Sequence, residues 1–320
     1  MLEVLKTTEN VAQKSRRVRI NREAVIASAR RMIGEKTRIP PWDSRHHFFD
    51  GGKKSVAYFL VLDTVNFCFW APDGGATWEI EFEGRRISGY YALATALKWG
   101  VEAGVPLHEA DYLSNLTVGD LREIFRGRGE LQLMDQRVKN LNELGKLLLD
   151  EFSGEACNLV EAAGRSAVGF AGLLSEKLAS FRDVAVYEGE KVFFLKRAQI
   201  LAADLYGAFR GRDWGEFTDV DRLTAFADYK LPQVLRQLGI LRYAPALAEK
   251  VDQRVLLEPV SPEEVEIRAN TIRAVELMRR ELQGRGRNLK AFEIDWLLWN
   301  MGQEDRFRER PYHRTLTIYY

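Results

Sequence analysis

Cysteine is almost absent from this 320-residue chain: Cys68 and Cys157 are the only two. Two thiols so far apart make neither a disulfide framework nor a cysteine zinc site, and Cys68 lies in a strongly apolar run. Both read as buried free thiols of a reducing compartment. Histidine is scarce too, with four in all, which leaves little material for a serine or cysteine triad. No segment approaches ~18 uninterrupted apolar residues, so no membrane span is expected. The opening MLEVLKTTENVAQKSRRVRI lacks the apolar centre of a secretory signal. Charge of one sign is missing as well: 47 Lys+Arg face 46 Asp+Glu, a formal net charge of +1, so the whole chain offers no electrostatic footprint for a nucleic-acid polymer. Glycine-rich phosphate loops, a G-x-S-x-G elbow and an H-E-x-x-H pair are all lacking. A soluble, cytoplasmic protein without cofactor or metal is the expectation these absences leave.

What is present reads as mostly helix. Residues 1–36 are expected to be helical and amphipathic, with Val18, Ile20, Val25, Ile26, Ala29 and Met32 as apolar positions. RIPPWDSRHHFFDGGKK breaks that pattern through Pro40–Pro41 and Gly51–Gly52. His46 and His47 lie in this loop without metal-ligand spacing, so a substrate contact or plain solvent exposure is expected of them. VAYFLVLDTVNFCFW, residues 56–70, is the most apolar stretch. It predicts a buried helix to about Thr64 and then an extended segment. Asp63 and Asn66 interrupt it, and buried polar groups need partners, so they form either an internal cap or a ligand contact. TWEIEF alternates, Glu83-Gly84 turns and RRIS returns, which predicts a hairpin. Helices are expected over 91–103, 117–125 (capped, with Thr117 and Asp120 near its start), 131–152, 157–170, 171–181, 261–282 (with Ser261 as cap and a Pro in its first turn) and 291–302. FRDVAVYEGEKV reads as a connector turning at Gly189.

The stretch 192–243 carries the chemistry. VFFLKRAQILAADLYGAF predicts a helix with Phe194, Ala198, Leu201, Leu205 and Phe209 on one face and Lys196 roughly opposite. In FADYKLPQVLRQLGILRY, Pro232 suits a helix start and Gly239 the residue past its end. Asp228 then stands ahead of a helix N-terminus, which stabilises a carboxylate. Such a Lys/Asp pair can do acid–base or electrostatic work, or can be two solvated charges.

The segments VLDTVNFCFW, MDQRVKNLNELGKLL, FRDVAVYEG, FLKRAQILAADLY, FADYKLPQVLRQLGILRY, VEIRANTIRAVELMR, IDWLLW and HRTLTIYY, in this order from residue 61 to 320, resemble the queuosine salvage protein family, the queuosine 5′-phosphate N-glycosylases. The resemblance implies a mainly α fold, similar to the helix-hairpin-helix DNA glycosylases, with a small antiparallel β element in the N-terminal half. The expected organisation is an α+β lobe over 1–130 and a helical lobe over 131–320, packed as one unit with the active site between them. The implied reaction cleaves the N-glycosidic bond of queuosine 5′-monophosphate to queuine and ribose 5-phosphate, with Lys196 and Asp228 catalytic. No cofactor, nucleic-acid polymer or membrane partner is implied, and a monomer is expected. FADYKLPQVLRQLG lacks the glycine-rich hairpin of the DNA-binding relatives.

An oxocarbenium-like sugar wants a nearby carboxylate, the role of Asp228. Asp63 and Asn66 are candidate readers of the base edge, with Phe67, Phe69, Trp70 and Tyr229 as stacking faces. Arg197, Lys230, His47, His313 and Arg314 are candidate phosphate contacts. The rival readings are a DNA or RNA base glycosylase of the same architecture and a non-catalytic deazapurine-binding protein.

Overall fold

The computed structural model describes residues 2–35, 37–71 and 75–320. In chain order its elements are α1 (Leu2–Lys14), β1 (Val18–Ile20), α2 (Arg22–Gly34), α3 (Lys53–Thr64), β2 (Glu79–Phe82), β3 (Arg85–Ser88), α4 (Gly89–Glu102), α5 (Ala110–Asn115), α6 (Val118–Ile124), α7 (Met134–Glu151), α8 (Ala156–Glu161), α9 (Ala167–Lys177), β4 (Val184–Tyr187), β5 (Glu190–Phe193), α10 (Lys196–Ala208), α11 (Lys230–Gln237), β6 (Leu241–Tyr243), α12 (Pro245–Asp252), α13 (Pro262–Gln283), α14 (Ala291–Met301) and α15 (Asp305–Arg308). The fold is mainly α. Its strands form three antiparallel pairs, β1–β6, β2–β3 and β4–β5. The hairpin expected at Glu83-Gly84 is β2–β3, in the register Ile80 to Ile87. No helix of the described residues is long and apolar enough to cross a membrane.

Contacts divide the chain into two units. The first comprises residues 1–41, 183–199 and 221–316; the second comprises 42–182, 200–220 and 317–320. In the first, the long helix α13 is the central element. Ser261 caps it by accepting the N–H of Glu264, with Pro262 in the first turn, as the sequence predicts. Ile267, Ala274, Val275, Met278 and Leu282 face a core completed by Val25, Ala29 and Met32 of α2, Val234 and Leu235 of α11, and Ile294, Leu297 and Leu298 of α14. Glu266, buried on α13, accepts the backbone N–H groups of Arg16 (3.0 Å), Arg17 (2.7 Å) and Val18 (3.1 Å) and the Tyr187 hydroxyl (3.0 Å). That carboxylate fixes the chain between α1 and β1. Residues 1–36, expected to be helical throughout, are therefore two helices separated by a strand, with Met1 and Lys36 outside the described residues. The cause is long-range: β1 pairs with β6, Val18 opposite Tyr243.

In the second unit α3 is buried along Ser55–Thr64, which is why its sequence has no polar face. Past α3 the chain has no ladder, and Arg137 of α7 supplies donors instead. Its guanidinium donates to the carbonyls of Val65, Phe67 (2.5 Å) and Cys68 (3.2 Å). Against α7 lies α5, and the crossing is close: a Cβ at Gly145 would stand 2.4 Å from the Ser114 nitrogen. The connector expected at 181–192 is the hairpin β4–β5 of the first unit, and it takes Val192 and Phe193 away from the helix expected to start there. The helices expected over 157–170 and 171–181 are α8 and α9, each shorter and shifted.

Candidate active site

Lys196 is the first residue of α10, and the corner that delivers it is built by one residue. Asp183 collects three consecutive N–H groups. Its carbonyl accepts from Phe194 (3.0 Å) and Leu195 (3.2 Å), and its carboxylate Oδ2 accepts from Lys196 (3.1 Å). Leu195 has φ +51, a left-handed conformation that costs a non-glycine residue about 1 kcal/mol and lets a strand turn directly into a helix. Lys196 was expected on the face opposite the apolar stripe. That face is buried too: Lys196 and its neighbours Arg197, Ala198 and Gln199 are all buried, so the first turn of α10 is enclosed on all sides.

Asp228 closes a segment, 223–228, that belongs to no helix or strand. Side chains satisfy its backbone. The Thr224 N–H donates to Gln199 Oε1 (2.8 Å), the Phe226 N–H to Asp295 Oδ2 (2.7 Å), and the Ala227 carbonyl accepts from Arg268 Nε (3.0 Å). Arg268 is itself held by Asp183, with distances of 2.9 and 2.6 Å to its two carboxylate oxygens. One buried ion pair thus ties the backbone of Lys196 to that of Ala227, the residue before Asp228. Arg268→Met should strand the buried Asp183 carboxylate and lower unfolding free energy by about 3–5 kcal/mol in urea titrations. A loss below about 1 kcal/mol would show the pair to be dispensable.

Asp228 Oδ1 accepts the N–H groups of Lys230 (2.8 Å) and Leu231 (2.9 Å) at the start of α11, the placement expected from the sequence. The expected electrostatics need correcting. Burial raises the Asp228 pKa above its ordinary value, and Lys196, the two N–H bonds and Lys230 offset this only in part. Asp295 on α14 is pushed further, well above the ordinary value, by burial and by the charge of Asp228; Lys196 and the Phe226 N–H act in the opposite direction. Two buried carboxyls and one lysine therefore bear on each other. Buried carboxyls with raised pKa values beside a lysine mark acid–base chemistry in many sites.

Of the other expected contacts, Tyr229, Lys230, Arg197, His313 and Arg314 belong to the same unit. The ring of Tyr229 lies 4.7 Å from that of Tyr312, and Lys230 stands 5.8 Å over Tyr312. Lys230 has its pKa lowered by burial and by Arg308. His313 is buried, and burial first, with Arg268 second, pushes its pKa down to about 3. It is neutral at physiological pH and carries no charge for a phosphate.

Asp63, Asn66, Phe67, Phe69, Trp70 and His47 belong to the second unit. Asp63 and Asn66 form the internal turn, Asn66 Nδ2 donating to Asp63 Oδ1 at 3.1 Å. Phe67 is fully buried, with the Arg137 guanidinium 4.2 Å over its ring and 5.7 Å over that of Phe69. Trp70 is buried, and its carbonyl accepts from Gln132 at 2.6 Å. His47 has both ring nitrogens engaged, Nδ1 with the Asp43 carbonyl (2.6 Å) and Nε2 with the Tyr90 hydroxyl (2.9 Å). Burial lowers its pKa to about 4, so it too is neutral.

Sequence reasoning missed Asp183, Arg268 and Asp295. Asp295 had a usable signal: an acid inside the apolar run AFEIDWLLW must be partnered or neutral if that face is buried. Among the described residues no group of three or more His, Cys, Asp or Glu is arranged to hold a metal.

Comparison with known proteins gives the geometry its context. A family model described as "Queuosine salvage protein" matches residues 46–320. A protein of Sphaerobacter thermophilus named queuosine 5′-phosphate N-glycosylase/hydrolase is 49% identical over 319 residues, covering 100% of this chain and 98% of its own. Proteins of the same name from Dictyostelium discoideum and Mus musculus are 37% and 35% identical. They cover 99% and 97% of this chain, and 98% and 96% of their own length is matched.

Proposed function

This chain belongs to the queuosine salvage protein family, and we propose that it hydrolyses the N-glycosidic bond of queuosine 5′-monophosphate through Asp228 and Lys196. The observation that supports these residues is the buried pair itself: a carboxylate seated on two helix N–H groups and acted on by a buried lysine. The products are queuine and ribose 5-phosphate. The bond electrons leave with the base, and the anomeric carbon becomes oxocarbenium-like. A carboxylate beside that carbon stabilises the cation and orients the incoming water. Water adds its hydroxyl to the sugar, and its remaining proton neutralises the departing base. A 7-deazapurine has carbon where a purine has N7, so the proton goes elsewhere on the ring. The role of Lys196 is to keep Asp228 ionised against burial, which alone favours the neutral acid.

The 5′-phosphate is assigned to Lys230, Arg197 and Arg314. His47 and His313 are left out because both are neutral. The substrate is a mononucleotide, with no polymer partner, in keeping with the net charge of +1. A cytoplasmic monomer is proposed, and the two buried free thiols suit a reducing compartment. The test compares free queuosine with its 5′-monophosphate at equal, subsaturating concentration. Hydrogen bonds to a charged group contribute about 1.5–3 kcal/mol, so the nucleoside should react about 10- to 100-fold more slowly. Equal rates would refute a phosphate pocket. Absence of ribose 5-phosphate from the monophosphate would refute the enzyme reading altogether.

A further inference from the structure

The segment that carries Asp228 has no ladder to hold it, and this makes the residue that fixes its backbone consequential. Asp295 lies in the second turn of α14 and is 3% exposed. Its Oδ2 accepts the N–H of Phe226 at 2.7 Å, two residues before Asp228. The charged groups that bear on it are Asp228 and Lys196. The lysine that bears on Asp295 is shared with Asp228. Asp228 has two backbone N–H donors, Lys196 and Lys230 in its favour, whereas Asp295 has one N–H donor and Lys196 and faces the Asp228 charge. This balance favours the proton on Asp295 over Asp228.

We propose that Asp295 is a positioning residue for the hydrolysis: an uncharged carboxylic acid that anchors the Phe226 amide and so sets where the Asp228 carboxylate meets the sugar. An acid in this place does two things that a carboxylate would not. It holds the segment without adding a second negative charge beside Asp228, and it leaves Lys196 to act on Asp228. The strongly raised pKa of Asp295 agrees with the geometry. An ionised Asp295 would compete for Lys196 and favour protonation of Asp228, the group that needs to be charged.

The inference rests on Asp228 as the reacting carboxylate, and the experiment separates the two. Asp295→Asn keeps an oxygen for the Phe226 N–H and carries no charge; Asp295→Ala removes the anchor. Turnover of queuosine 5′-monophosphate by the full chain is measured for both, beside Asp228→Asn. The Ala variant should lose turnover by about 10²-fold, the size of effect that a misplacement near 1 Å produces, with KM within about threefold. The Asn variant should recover most of that loss. An Asn variant as impaired as Ala would overturn the inference, because the acid proton or charge would then itself be used. So would an Ala variant of full activity. If Asp228→Asn is inactive in either case, the catalytic reading survives and only the role of Asp295 falls. Should the Ala variant not fold, infrared difference spectra of wild type minus Asp295→Asn decide the question. A protonated-carboxyl band at neutral pH is expected, and its absence overturns the proposal.

Discussion

Asp228→Asn should fold like the wild type and turn over queuosine 5′-monophosphate about 10²–10³-fold more slowly. The amide keeps an oxygen where Oδ1 now accepts from Lys230 and Leu231, so the start of α11 loses nothing. What it loses is the charge opposite the developing oxocarbenium ion. Stability should not fall and is expected to rise slightly. A carboxyl whose folded pKa lies above its unfolded value stabilises the fold below the unfolded pKa, and that contribution is lost as pH rises through the folded value. At neutral pH the ionised Asp228 is therefore a burden on folding that an amide removes. This opposition of sign separates a catalytic from a structural carboxylate. A structural one, once neutralised, would cost stability and spare turnover. Thermal unfolding and steady-state rates on one preparation settle it, and a variant with more than about a tenth of wild-type turnover would falsify the assignment.

How much of this was legible in the sequence depends on the range of each signal. The cap at Ser261, the capping box at Thr117 and Asp120, the β2–β3 turn and the seat of Asp228 on α11 all lie within a few residues of the groups they satisfy, and each was read correctly. Pairing of Val18–Ile20 with Leu241–Tyr243 spans most of the chain, and nothing local announces it. Strands β4 and β5 are four residues each, too short for alternation to register against the helical run that follows. The burial of Lys196 was illegible for a different reason: a lysine at a helix start reads as solvated by default, and only the folded chain shows it buried, with its N–H on Asp183. Asp295 escaped because the amide it accepts lies 69 residues away in sequence. The proposed catalytic pair was visible mainly as family resemblance. The scaffold that orients it is made of long-range side-chain-to-backbone bonds, which periodicity does not encode.

Acid should unfold this protein well before its carboxylates are protonated. His47 and His313 are buried, and burial dominates the lowering of both, to about 4 and about 3, against an ordinary value of 6.5. For His47 the tautomer is constrained as well: the Asp43 carbonyl requires a proton on Nδ1. A histidine with a lowered folded pKa is neutral in the native state and charged in the unfolded one once pH drops below 6.5. The unfolded chain then binds more protons, and stability declines from pH 6.5 down to the folded pKa. At about 1.4 kcal/mol per pKa unit, each histidine removes about 3 kcal/mol by pH 4, together about 6 kcal/mol. That is comparable with the whole stability of many domains, about 5–15 kcal/mol. Asp228 and Asp295, with raised values, act in the opposite direction and recover part of the loss. Urea unfolding at pH 7, 5.5 and 4.5 should show a steep fall in midpoint. In His47→Gln, which has no imidazole to protonate at this position, the fall between pH 7 and 4.5 should be smaller by about 2 kcal/mol. Parallel pH dependences for the variant and the wild type would mean that His47 is not the buried neutral group described, whatever the absolute stabilities.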